Sequence, residues 1–109
     1  MKINRQQVLD KYNSHCAYCG CEITLKTMQV DHKKSKAYGG TDGIKNLMPS
    51  CRLCNHYKRA NNLETFRRYI IEMYEKLSKV YIFRVAEKYG MFVWKDWDGK
   101  FYFEKMENR

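Results

Sequence analysis

No run of apolar residues in this 109-residue chain approaches the roughly 20 that a membrane-spanning helix needs. The opening MKINRQQVLDKY also lacks an apolar core of signal-peptide length. There is no cysteine beyond Cys54 and no histidine beyond His56. A disulfide framework of a small secreted protein spreads its cysteines along the chain, so this clustering favours a metal site in a reducing compartment. Acidic residues are scarce, 12 against 21 Lys and Arg, which leaves a formal charge of +9. No internal repeat, low-complexity segment or linker divides the chain. The expectation is one domain, residues 1–109, cytoplasmic and without membrane contact.

The charge is unevenly placed. Residues 1–62 carry eleven Lys or Arg against four Asp or Glu, whereas residues 63–109 carry ten against eight. The positive excess lies with the Cys and His cluster, as it would in a half that faces a polyanion. At 44% apolar residues the chain can fold, but a domain this small commonly needs a staple.

Residues 3–13 read as a short helix with Ile3, Val8, Leu9 and Tyr12 near one face. Residues 28–32 (MQVDH) alternate as a strand, and Gly39, Gly40 and Gly43 mark the loop that follows. A helix is expected from Arg52 to about Ala60. Another, capped by Asn61 or Asn62, is expected over 63–77, and 79–89 reads as a further helix ended by Gly90. MFVWK and KFYFE flank DWDG and predict a β-hairpin turning at Gly99. The aromatics Phe92, Trp94, Trp97, Phe101, Tyr102 and Phe103 read as core packed over it.

Two C-x2-C pairs, Cys16/Cys19 and Cys51/Cys54, are spaced to close two knuckles on one tetrahedral zinc ion. Gly20 suits the first turn, and Tyr18 is placed to cover one side of the metal. A redox motif requires only one such pair. With four thiolates the ion has no open position and its role is structural. Cys21 is left over as a small buried or free thiol.

The 31 residues between Cys19 and Cys51 exceed the usual zinc-ribbon insert of about 15–20. They hold Val30-Asp31-His32, Gly39-Gly40 and Asn46-Leu47, and Asn55-His56-Tyr57-Lys58 follows the second knuckle. The ordered string C-x2-C-G, V-D-H, G-G-x-D-x-x-x-N-L and C-x2-C-N-x2-K resembles the HNH endonucleases of the ββα-metal (His-Me finger) fold over about residues 14–60. A looser likeness of FRRYI and FYFEK is to small phage-associated HNH proteins, which places the expected setting in a bacterial or phage-infected cell.

The resemblance implies an α+β fold: a ββα-metal core at 14–60 stapled by the four-cysteine zinc site, preceded by an N-terminal helix. A C-terminal extension at 61–109 would add helices and the terminal β-hairpin. It further implies that Asp31 and Asn55 hold a catalytic Mg²⁺ or Mn²⁺, that His32 is the general base, and that Asn46 orients the loop holding His32. Asn55 stands at a motif position that varies between His and Asn, which makes this an H-N-N variant. Independently, imidazole exchanges its proton near neutrality, and a hard cation with oxygen ligands suits phosphate chemistry.

Lys33, Lys34, Lys36, Lys45, Arg52, Lys58 and Arg59 are candidate DNA phosphate contacts, each also readable as a solvated charge. His56 lies about 100° around a helix from Asn55 and reads as a surface or phosphate contact. His15 reads as a supporting or exposed residue. The expected activity is metal-dependent hydrolysis of DNA phosphodiesters, nicking or double-strand cutting, with low sequence preference. A double-strand cut by single-site proteins requires a homodimer or two successive events. The alternatives are a non-catalytic zinc-ribbon module that binds nucleic acid or protein, and a nuclease subunit of a larger packaging or restriction complex.

Overall fold

The structure, a computed structural model, describes residues 2–107. Two compact units emerge: Met1–Leu63 with Lys100–Arg109, and Glu64–Gly99. Among the described residues no helix is long and apolar enough to cross a membrane.

The first unit begins with helix α1 (Arg5–Asp10), started by the Asn4 side chain, which accepts from the Gln7 amide at 3.1 Å. Its buried face, Val8 and Leu9, packs with Ile23, Met28 and Leu47 in one cluster of the apolar core. Strands β1 (Gln29–His32) and β2 (Leu47–Ser50) pair antiparallel, with Asp31 opposite Met48 and His32 opposite Leu47. Helix α2 (Arg52–Lys58) follows directly and completes a ββα arrangement in an α+β fold. Its cap is Cys51, whose Sγ accepts from the Cys54 amide at 3.4 Å, so a knuckle residue also starts the helix.

In the second unit, the helix expected over 63–77 is two: α3 (Leu63–Ile71) and α4 (Met73–Leu77), broken at Glu72, whose ψ of 4° leaves the helical range. Helix α5 (Tyr81–Lys88) ends before Gly90, which takes the positive φ of 70° that favours glycine. Tyr74, Phe83, Phe92 and Trp94 form its aromatic cluster, with ring centroids 4.8 Å apart for Phe83 and Phe92 and 4.9 Å for Tyr74 and Trp94. The Tyr74 hydroxyl is 2.8 Å from both Glu87 oxygens and ties α4 to α5.

The expected terminal β-hairpin is not formed. Gly99 does take a positive φ of 82°, but residues 92–98 pair with no strand, and Tyr102–Glu107 is a helix, α6. The backbone amides of Tyr102 and Phe103 donate to Tyr18 and Ala17 carbonyls of the first knuckle, at 3.1 and 2.8 Å. Glu104 reaches back to the Phe101 amide at 2.8 Å and starts the helix. Burial of Phe101 and Phe103 against Tyr18 (ring centroids 5.4 and 6.2 Å away) satisfies the alternation that resembled a strand. Residues 100–107 thus return to the first unit rather than extending the second.

Candidate metal centre and catalytic pocket

The first knuckle is reached through two left-handed residues, Asn13 and Ser14, at φ 54° and 65°. Its loop is closed by Gly20 N–H to the Cys16 carbonyl at 2.9 Å. Gly20 has φ 83°, and a Cβ there would lie 2.6 Å from the Tyr102 ring, so both backbone and packing require glycine. Ala17 N–H donates to the Pro49 carbonyl at 2.8 Å, which brings this knuckle beside the end of β2 and therefore beside Cys51 and Cys54.

The four ligand atoms of Cys16, Cys19, Cys51 and Cys54 all lie within 4.8 Å of one another, and Cys19 and Cys51 Sγ are 3.8 Å apart. Sulfurs bound about 2.3 Å from one tetrahedral zinc ion lie about 3.8 Å apart, so the cluster fits zinc. No disulfide forms among them. A hydrogen bond from Cys54 and several from the backbone pull the Cys16 thiol down to about 4. Burial pushes Cys19 up to about 12, and donation to Cys16 pushes Cys54 upward too. Crowded thiols resist shared ionisation, and a dication removes that resistance. Cys21 stands outside the four and is exposed, so it is a free surface thiol and not a buried one.

Tyr18 lies within the first knuckle, between Cys16 and Cys19. Its ring is buried among Phe101 and Phe103, and its hydroxyl donates to Asp31 Oδ2. That bond joins the zinc knuckle to the first residue of interest on β1. Lys58 also binds Asp31 Oδ2, at 3.1 Å, and donates to the His32 carbonyl at 3.0 Å. Lys58 is 0% exposed, the largest fully buried side chain in the chain's described part. The expectation that it touches DNA phosphate is corrected here: α2 turns it inward, and its ammonium is committed to strand β1. Burial raises the Asp31 carboxyl above its usual range, against the opposing pull of Tyr18 and Lys58. Both partners occupy Oδ2, which leaves Oδ1 for a ligand.

Asp31, His32 and Asn55 line one cleft of about 370 Å³, together with Val30, Ser35, Lys36, Arg59 and Ala60. Adjacent residues on a regular strand face opposite ways. Here His32 is the last residue of β1, and the chain bends immediately after it, with Lys33 N–H on the Asn46 carbonyl at 2.8 Å. The strand's end is what lets both side chains border the same space. Asn55, on the first turn of α2, donates through Nδ2 to Gln29 Oε1 at 2.6 Å, which leaves its Oδ1 uncommitted. One carboxylate oxygen and one amide oxygen are a hard donor pair, suited to Mg²⁺ or Mn²⁺, which keep water and phosphate oxygens as their other ligands.

His32 Nε2 lies 2.8 Å from Asp42 Oδ1, and Asp42 Oδ2 lies 3.2 Å from Lys36 Nζ. Hydrogen bonding from His32, then Lys36, holds the Asp42 carboxyl below the usual carboxylate range. Asn46 makes no hydrogen bond to His32. Its amide accepts from Lys34 N–H at 2.8 Å and donates to the Lys34 and Thr41 carbonyls at 3.0 and 2.8 Å, closing the loop that carries Asp42.

The remaining basic candidates differ in setting. Lys34, Lys36, Lys45, Arg52 and Arg59 are exposed, with Arg59 and Lys36 on the cleft itself. Lys33 is half-buried, its ammonium 5.5 Å from the centroid of the Phe103 ring. His56 is exposed, whereas His15 stacks on Tyr102 at 5.4 Å with its Nδ1 2.8 Å from the Asn13 carbonyl. Sequence reasoning passed over Asp42, Gln29 and the hydroxyl of Tyr18. Only Asp42 carried a signal, as the acidic position of G-G-x-D between His32 and Asn46.

Residues 16–61 match the family model described as HNH endonuclease. Over 55 residues, half of this chain, the sequence is 38% identical to the CRISPR-associated endonuclease Cas9 of Corynebacterium diphtheriae, of which it covers 5%. The crystal structure of the Type II-C Cas9 enzyme from Actinomyces naeslundii is similar with a TM-score of 0.54 and 29% identity. That match covers 59% of this chain and 7% of that one. The chain therefore spans a small fraction of the length of the relatives it matches.

Proposed function

From the premise that residues 16–61 carry the HNH endonuclease signature, we propose that this protein hydrolyses DNA phosphodiester bonds in a metal-dependent reaction. The observation that carries the reading is the shared cleft of Asp31, His32 and Asn55, in which each of the two prospective ligands keeps one oxygen uncommitted. A non-catalytic zinc ribbon has no use for such a set. Asp31 and Asn55 would hold Mg²⁺ or Mn²⁺. Bound there, the ion would neutralise charge on the phosphate and ease departure of the 3′ oxygen.

His32 accepts the proton of the attacking water as its oxygen bonds to phosphorus. The bond from phosphorus to the 3′ oxygen breaks, and that oxygen takes up a proton from solvent. Tyr18 and Lys58 hold Asp31 in place and oppose the effect of its burial, while Gln29 holds the Asn55 amide. Lys34, Lys36, Arg52 and Arg59 draw the phosphate backbone by charge. Contacts of that kind confer affinity without sequence choice, so preference for sequence is expected to be low.

One site cuts one strand, so the basic product is a nick, and a double-strand break requires a second copy or a second event. The test is conversion of supercoiled plasmid to nicked or linear forms with Mg²⁺ or Mn²⁺, with and without chelator, beside His32→Ala. Metal-dependent nicking that His32→Ala lowers by at least about 100-fold is the expected result. Equal cleavage by the variant would remove His32 from the role of base. No cleavage by zinc-loaded protein that still binds DNA would leave the binding ribbon or the dependent subunit.

A further inference from the structure

We infer that Asp42 is a positioning residue that holds the His32 ring in a single tautomer, with Nε2 protonated and the lone pair on Nδ1. The inference rests on the nuclease reading above, because it assigns His32 as the base.

Asp42 Oδ1 lies 2.8 Å from His32 Nε2, and an ionised carboxylate accepts hydrogen bonds without donating any. Nε2 must therefore carry the proton. In a neutral imidazole the other nitrogen is then the only one free to accept a proton from water. Paired carboxylate and imidazole groups of this kind fix both ring orientation and tautomer at sites where histidine works as a ligand or base. His32 borders the cleft that Asp31 and Asn55 line, so the arrangement serves the group whose orientation the chemistry needs.

The surrounding loop is built to place that carboxylate. Lys36 binds its second oxygen at 3.2 Å and restricts its rotation. Gly40 N–H donates to the Ser35 carbonyl at 2.9 Å, and a Cβ at Gly40 would sit 1.7 Å from the Lys34 carbonyl oxygen. Only glycine lets the chain fold back this tightly. Asn46 then fastens the two arms through Lys34 and Thr41, the residue immediately before Asp42. Asn46, which has no hydrogen bond to the ring, acts on His32 through Asp42. The pair works as one device, with Asn46 shaping the loop and Asp42 touching the base.

The test reads the ring directly. Long-range ¹H–¹⁵N NMR of zinc-loaded protein, with the neutral His32 signals assigned by their loss in His32→Gln, reports which nitrogen carries the proton. Wild type is expected to show the Nε2-protonated form alone, and Asp42→Ala a mixture of both tautomers. In plasmid cleavage, Asp42→Ala should lower kcat by about 10–100-fold with KM and zinc content unchanged, and Asp42→Glu should recover part of the loss. If Asp42→Ala loses its zinc, Asp42→Asn, which preserves side-chain shape and offers both a donor and an acceptor, should show the same mixture. A His32 ring that stays wholly Nε2-protonated in these variants overturns the inference, whatever the rates. A mixture upholds it even if wild type cuts no DNA, in which case the nuclease reading alone falls.

Discussion

The two units solve the problem of being small in opposite ways. Unit one holds nearly all of the buried apolar side chains described, with Tyr12, Tyr18, Met48, Phe101 and Phe103 beside the cluster of Val8, Leu9, Ile23, Met28 and Leu47, and it also buries Asp31, Ser50 and Lys58. Burying a charged pair costs several kcal/mol per ion before its mutual attraction is counted. A zinc ion held by the four cysteines would help to offset that cost, since zinc binding is itself folding free energy. Unit two has no metal cluster and none of the candidate catalytic groups among its described residues. It relies on a half-buried aromatic cluster and leaves apolar side chains in solvent, with Tyr89 at 78% and Val93 at 90% exposure. The contrast places the polar machinery in the unit that has both the apolar core and a cysteine cluster able to hold a metal.

The largest effect should come from removing the metal. Chelation of zinc, worth about 10 kcal/mol or more, should collapse the amide dispersion of residues in the first unit. Both tryptophans, Trp94 and Trp97, lie in the second unit, so their emission reports it separately and should change little. A joint loss of both signals would break the comparison.

Next in size is Lys58→Met, which leaves the Asp31 carboxylate buried beside Tyr18 without its cation. The first unit should lose about 3–5 kcal/mol in denaturant unfolding, while the tryptophan-detected transition stays in place. A loss below about 1 kcal/mol would mean that the Lys58 ammonium contributes little to holding Asp31.

Within the second unit, Phe83→Ala removes a ring that touches Tyr74, Phe92 and Trp94. Because the ring is half-buried, the expected cost is about 1–2 kcal/mol, read by tryptophan emission. Plasmid cleavage should be unaffected. Smallest of all is Ile82→Ser, at a side chain 75% exposed, with an expected change within about 0.5 kcal/mol by either probe. A larger destabilisation would show that this side chain is covered in solution.

Much of the first unit was legible because its signals are local. Two residues between thiolates determine a knuckle, and the alternation of Met28 to His32 determines a strand. A helix near α1 followed from apolar spacing, and the end of α5 from Gly90. The second-unit helix was overextended because the apolar period runs through Glu72 unbroken, while the backbone does not. Lys58 was misplaced for a related reason. A lysine one turn after Asn55 has no sequence mark distinguishing a surface grip from a buried counter-ion, since its partners Asp31 and His32 lie 27 and 26 residues away.

By itself the sequence determined the two cysteine pairs that form one cluster, the skewed charge and the types of side chain available to a site, because spacing and residue type carry those properties directly. Tertiary structure decided how those groups are deployed. It turned Lys58 inward onto Asp31, set Asp42 against His32, and wound Tyr102–Glu107 into a helix on the first knuckle instead of a hairpin strand. In each case the deciding partner is distant in the chain or lies across a loop whose path only packing defines. A side chain's role there follows from which hydrogen-bonding group remains unsatisfied until the chain closes on it.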